Sequence, residues 1–326
     1  DKGLIPISVL APRNGEKISN TVLSYKGKKN PAIKFFNSGS HNIIKTKTKL
    51  GYELKGSHNH PILCWTLNEF GAPHVIWKQL SEITTKDHVL INRNYSLFSK
   101  TDLNLKSSTP KPSNKQKNIS LPTKMNKSLA FLLGALVSEG SFHQNKIIFN
   151  NKDIKFYNAV KDSILKNFKG TKLYERNIKG DCQELDFYLQ RPVNFLKNIG
   201  LKSVRSNLKE IPFSVLQSKK ESVREFLIAL FEGDGSVQLV TDKRHGGKSL
   251  QLCYHSNSKK LIFQLKTLLL NFGIITTKPY TDKRNGCYKL SISGVENILQ
   301  FKNQIGFFSD RKNKILDNID SINKTR

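Results

Sequence analysis

The sequence predicts an α+β protein, and three observations carry that prediction. Residues 1–97 hold short extended stretches separated by Gly, Asn and Ser, with no helical period. Residues 126–326 run through the same succession of elements twice. In each copy an apolar helical run ends on a carboxylate followed by glycine, LLGALVSEG at 132–140 and LIALFEGDG at 227–235.

Composition narrows the function classes. The 326 residues are enough for two or three domains with real cores. Lys and Arg number 54 against 25 Asp and Glu, a formal charge of +29. Such a surplus repels itself unless a polyanion takes it up. It is not gathered on one amphipathic helix, which argues against an anionic membrane. The four cysteines form no CxxC and have no His at zinc spacing, so they read as free thiols in a reducing compartment. With no membrane-length apolar run and no signal-peptide pattern, the expectation is a soluble intracellular protein of cytoplasm, nucleoid or nucleus.

In chain order, residues 32–36, 42–46 and 89–92 read as strands of a β-rich module spanning 1–97. Residues 98–125 contain Lys, Ser, Asn and Pro in quantity, and 99–124 lack aromatics, so a basic linker or strap is expected. The duplication follows, with repeat one at about 126–215 and repeat two at about 216–326. Each repeat has a strand (147–150 or 250–255) and an amphipathic helix (154–168 or 260–272). Two further strands come next (172–177 with 184–189, or 278–283 with 288–293), then a closing helix (195–200 or 301–306). The first apolar helix is expected to start near Asn126, and the second to carry a capping box at Ser222 and Glu225.

Both apolar helices lack a polar face and must be buried. Gly134 and Ser138 on one, Ala229 and Gly233 on the other, are small residues at matching places. That spacing lets two backbones pack along one seam. The packing brings Glu139 and Asp234 together at one end, with Gly140 and Gly235 expected as left-handed caps. An acid at a helix C-terminus is disfavoured by about 0.3–1 kcal/mol. A rule broken twice calls for a cation, and hard oxygen ligands suit Mg²⁺ or Mn²⁺.

These residues resemble the signature helices of LAGLIDADG homing endonucleases in their monomeric two-repeat form. The resemblance runs over about 200 residues and includes KEIP at 209–212, which looks like the family's lysine-bearing turn. It implies Lys209 as the lysine of repeat one. For repeat two it implies Lys312, with Lys314 the alternative. It further implies an αββαββα pair whose antiparallel sheets form a saddle over double-stranded DNA, and one chain in place of a dimer. The activity implied is metal-dependent hydrolysis of both strands with short 3′ extensions. Glu139 and Asp234 bind the metal there, and Lys209 and Lys312 tune the charge around the reaction. Lys172, Arg176, Lys179, Lys278, Lys283, Arg284 and Lys289, on or beside the predicted strands, are the candidate groove contacts. Glu139 stands where Asp is usual, so the two strand cleavages are expected to be unequal, with a transient nick.

Residues 3–8 (GLIPIS), 51–64 (GYELKGSHNHPILC) and 86–93 (KDHVLINR) resemble the Hint fold of inteins, with Ser57 and His60 at the places of that block's Thr-x-x-His. The chain opens on Asp1 instead of Cys or Ser, and closes without the block ending in Asn. No self-splicing by the chain as given is therefore expected. Two alternatives stand beside the endonuclease: a nuclease-dead RNA-binding maturase on the same basic scaffold, and an intein whose main activity is protein splicing.

Overall fold

The computed structural model describes residues 2–9, 14–24, 27–37, 39–94, 96–111, 119–143, 146–178, 180–188, 190–241 and 247–324. The chain forms two compact units, one of Pro6–Tyr95 and one of Asp1–Ile5 with Ser96–Arg326.

The Pro6–Tyr95 unit is built of hairpins. Strand β1 (Lys17–Leu23) pairs with β2 (Lys29–Lys34), and β3 (Ile44–Lys47) with β4 (Glu53–Gly56). Strand β5 (Pro61–Leu67) lies between β6 (Pro73–Gln79) and β7 (His88–Val89). The β5–β6 turn is set by Asn68, whose side chain accepts from the amides of Phe70 and Ala72 at 3.0 and 2.8 Å. Among the described residues of this unit only Cys64 and Leu80 are buried apolar side chains, while Ile33, Phe36 and Phe70 are 73, 70 and 92% exposed. Extended pairing is present, but the unit encloses little core.

The larger unit repeats one plan. Helix α1 (Lys127–Ser138) leads to β8 (Gly140–His143), β9 (Lys146–Asn151), α2 (Ile154–Asn167), β10 (Leu173–Ile178), β11 (Cys182–Tyr188) and α3 (Gln190–Asn198). After the short α4 (Phe213–Leu216) comes the second round. It consists of α5 (Lys220–Asp234), β12 (Gly235–Thr241), β13 (Lys248–Ser256), α6 (Lys259–Asn271), β14 (Tyr280–Thr281), β15 (Tyr288–Ile292) and α7 (Val295–Gln304). Helices α8 (Asp310–Leu316) and α9 (Asn318–Lys324) follow. Each round makes an antiparallel four-stranded sheet in the same order, β10-β11-β9-β8 and β14-β15-β13-β12. The fold is thus mixed α and β, with antiparallel sheets. The pleat turns Ile147, Phe149, Leu185 and Phe187 of one sheet, and Leu252, Tyr254, Leu290 and Ile292 of the other, into one continuous core with the helices.

Several local expectations need correction. Three strands are expected from the residues of each repeat, whereas each sheet has the four that αββαββα implies, because β8 and β12 begin on the glycine of the acid–Gly pair, where a cap is expected. Asn126 caps α1, its side chain accepting from Leu129 N at 2.8 Å. No capping box forms at Ser222, because α5 already begins at Lys220 and Ser222 is buried inside the helix. Described residues of the stretch expected to be a linker pack instead, with Leu105, Ile119 and Met125 in the core and Arg191 donating to Ile119 O at 2.9 Å. Of the GLIPIS stretch, residues 3–5 belong with the larger unit, where Leu4 N donates to Leu216 O at 2.9 Å.

Candidate functional site

Helices α1 and α5 touch along their small residues. A Cβ built on Gly134 would strike Phe226 O and lie 3.0 Å from Ala229 Cβ. One on Gly233 would lie 2.6 Å from Ser138 Cβ and 3.1 Å from Glu139 Cγ. The seam therefore has room only for hydrogen at both glycines, and it carries Glu139, the C-cap of α1, to the end of α5 at Asp234. Both carboxyls are pushed above the ordinary range, chiefly by burial. For Glu139 the neighbouring Asp234 charge adds to the effect.

Gly140 and Gly235 are not left-handed caps. Gly235 is extended at φ −87°, and Gly140 is not among the glycines with positive φ. Their need is steric: a Cβ on Gly140 would sit 2.8 Å from Leu136 Cα, and one on Gly235 2.9 Å from Phe231 Cα. The strand folds back so tightly on its helix that a side chain has no place.

Nor are the two helix ends without compensation. Lys209 Nζ donates to the carbonyls of Val137, Ser138 and Gly140 at 2.7, 3.0 and 3.3 Å. Lys312 Nζ donates to Phe231 O at 3.3 Å, to Glu232 O, and to Gly235 O at 3.0 Å. Each ammonium thus occupies the negative end of one helix dipole, beside one of the two acids. Burial lowers the pKa of both lysines, against the pull of nearby carboxylates. Lys312 makes these contacts from α8, whereas Lys314 is exposed.

The halves differ in detail. Opposite Gly235 stands Tyr254, whose Oη donates to Asp234 Oδ2 at 3.3 Å; opposite Gly140 the same place holds Phe149. Glu232, equivalent to Val137, accepts from the amides of Phe308 and Ser309 at 3.0 Å each and pairs with Lys312 at 3.5 Å, which anchors the start of α8. A cleft of about 410 Å³ is lined by Glu139, Asn150, Lys152, Gly233, Arg311 and Lys312. Tyr254, Glu232, Lys152 and Arg311 escaped the sequence reading. Comparing the copies position by position offers a signal for the first two, where a hydroxyl and an acid replace Phe149 and Val137.

As donors for a cation, Glu139 and Asp234 are hard oxygens, and no cluster of three His, Cys, Asp or Glu joins them among the described residues. That set fits a Mg²⁺ or Mn²⁺ ion completed by water and phosphate, and does not fit an all-protein zinc or calcium cage.

The expected groove residues are scattered over both sheets. Arg176 lies on β10 and Lys289 on β15, while Lys172 precedes β10 and Lys278 precedes β14. Lys283 and Arg284 lie in the β14–β15 turn, where Arg284 forks onto Asp282 at 3.0 and 2.6 Å. Lys179 lies outside the described residues. In the smaller unit His60 N donates to Ser57 O at 3.1 Å, and the Ser57 hydroxyl is hydrogen-bonded to Asn59 at 2.7 Å. Lys45 and Lys47 both pair with Glu53, at 2.9 and 3.3 Å. No helix among the described residues is long and apolar enough to cross a membrane.

The chain is similar to parts of several known proteins. A DNA gyrase subunit of Mycobacterium gordonae is 31% identical over 294 residues, 87% of this chain and 47% of that protein. The replication factor C small subunit of Methanocaldococcus jannaschii is 28% identical over 282 residues, 85% of this chain and 13% of that protein. The chain thus spans about half the length of the first relative and far less of the second. The crystal structure of I-DmoI in complex with DNA and Mn aligns with a TM-score of 0.38 at 20% identity, covering 56% of this chain and 98% of that one. Residues 221–306 match the family described as the LAGLIDADG-like domain.

Proposed function

We propose that this chain is an intein-derived, site-specific endonuclease that hydrolyses both strands of duplex DNA. The observation that carries the proposal is the meeting of Glu139 and Asp234 at the ends of α1 and α5, each beside a lysine that donates to the carbonyls of its helix end, Lys209 half-buried and Lys312 buried. Carboxylates that cost energy to hold together are retained for chemistry more readily than for stability. The pair would hold Mg²⁺ or Mn²⁺, which when bound supplies Lewis acidity to a phosphodiester. Lys209 and Lys312 keep both carboxylates in register by fixing the helix ends, and their charge offsets the approach of phosphate. Water is the nucleophile, so no covalent enzyme intermediate forms. The sheet faces take the duplex in the manner of a saddle, with Arg176 and Lys289 the strand-borne cations, and one chain supplies both half-sites.

The intein origin rests on a separate observation. Nearly the whole chain matches within two proteins of unrelated name, one from a DNA gyrase and one from a replication factor, and makes up only a fraction of each. An element shared by otherwise different proteins behaves as a mobile insert. Residues 1–97 then correspond to part of a Hint-like module, with Ser57 and His60 in its block, and the poorly covered apolar residues of Pro6–Tyr95 agree with a β domain needing further strands.

A random-sequence DNA library incubated with Mg²⁺ tests the activity. The parent should release a defined population of ends that Asp234→Asn does not release. Identical ends from both proteins would remove Asp234 from the chemistry and overturn the proposal.

A further inference from the structure

We propose, on the basis of the DNA-binding reading above, that Arg176 reads a guanine from the sheet of repeat one and that Glu184 is the positioning residue that makes this contact base-specific. Register puts Arg176 opposite Glu184, and Glu184 opposite Asn150, on the face of β9, β10 and β11 turned away from the core. Asp186 shares that face, one pleat along. Glu184 and Asp186 are 7 and 4% exposed, and Asp186 Oδ1 is buried with no hydrogen-bond partner.

Two buried carboxylates on this surface need an explanation. They cost desolvation, and they oppose the approach of a phosphate backbone. The fold does not require them, because the corresponding places of repeat two hold Lys289, opposite His255, and Ser291, opposite Cys253. What the acids do is grip a cation. Arg176 Nε donates to Glu184 Oε1 at 2.5 Å, its Nη2 reaches the same oxygen, and Nη2 lies 4.0 Å from Asp186 Oδ2. Asp186 is held in turn by Lys146 at 2.7 Å. The guanidinium is fixed along one edge while the side chain remains 62% exposed beside a cleft of about 500 Å³ shared with Tyr174 and Tyr188.

A phosphate clamp gains from a mobile, unpaired cation. A base reader gains from a planar fork held in one orientation, and the guanine edge, with O6 and N7 as adjacent acceptors, is the partner that matches an arginine fork. Lys172, exposed just outside β10, has no such grip and is the internal contrast.

Selection of bound duplexes from a random pool by the full chain in EDTA, followed by sequencing, tests this without relying on cleavage. The parent should return a consensus containing one guanine column that Arg176→Ala and Arg176→Lys both erase, with about a tenfold loss on the parent site. Glu184→Gln should broaden that same column and no other, while Lys172→Ala should weaken binding evenly with the consensus unchanged. A uniform loss with an intact guanine column in the Arg176 variants would make Arg176 a phosphate contact and overturn the proposal. An unaltered column in a folded Glu184→Gln protein would overturn the positioning role. Failure of the parent to enrich any sequence would remove the DNA-binding reading itself, a result distinct from either.

Discussion

At the residue scale, Glu139 and Asp234 are held where neither carboxylate is comfortable. Burial raises both, and the Asp234 charge raises Glu139 further. A carboxyl raised in the folded state binds more protons there than in the unfolded chain, so its contribution to stability falls as pH rises past the unfolded value near 3.8 for Asp. Asp234→Asn removes that penalty. It should raise Tm at pH 7 by about 2–4 °C, which corresponds to about 1 kcal/mol, with the advantage vanishing below pH 3.8. Thermal melts with and without Mg²⁺ check this, because the ion should stabilise the parent and not the variant. A lower Tm for the variant at neutral pH would show that the acid serves packing. The two acids are also unequal, since Tyr254 Oη steadies Asp234 while Phe149 offers nothing to Glu139. Tyr254→Phe should therefore slow cleavage of one strand about tenfold and leave the other near its parent rate, since one hydrogen bond is worth about 1 kcal/mol and about 1.4 kcal/mol is a factor of ten in rate. End-labelled duplexes reveal this as a longer-lived nick. Equal slowing of both strands would mean that Tyr254 only supports the core.

At the element scale, the seam between α1 and α5 is tight enough that each helix end needs its own ammonium. Lys312→Met leaves the carbonyls of Phe231, Glu232 and Gly235 buried without their donor, and should cost about 2 kcal/mol in urea unfolding. Lys314→Met, two residues on and exposed, should cost under about 0.5 kcal/mol. Equal effects would remove the capping role. This pair of variants also marks how far local sequence carries. The apolar helices, their small-residue seam and the doubled plan were legible because periodicity and repetition are properties of contiguous residues. The compensation of the helix ends was not, because Lys209 reaches α1 from far along the chain and Lys312 reaches α5 from a helix that a seven-residue stretch scarcely announces. The burial of Leu105 and Ile119 was missed for a related reason: two apolar residues among lysines and serines look like a tether until the surface they cover is known. Gly140 and Gly235 signalled special geometry, and only coordinates distinguish a left-handed turn from a close approach.

At the scale of the whole molecule, buried apolar area is unevenly shared between the two units. The larger unit encloses one core running from Leu105 to Ile322, while the described residues of Pro6–Tyr95 bury only Cys64 and Leu80 among apolar side chains. Burial contributes about 25 cal/mol per Å² of apolar surface, so stability should be divided as unequally as the core. Strands β1 to β4 pair as isolated hairpins, an arrangement that is marginal in water without a packed face. Opening of the smaller unit should then precede global unfolding. Hydrogen exchange followed by mass spectrometry should find peptides from β1 to β4 exchanging about a hundredfold or more faster than those from α1 and α5, equivalent to a gap of about 3 kcal/mol in opening free energy. The same ordering should appear in limited proteolysis, with first cuts inside 6–95. Comparable protection in both units would mean that the exposed Ile33, Phe36 and Phe70 are covered in solution by contacts made outside the Pro6–Tyr95 unit, and that the smaller unit is not a separate layer of stability.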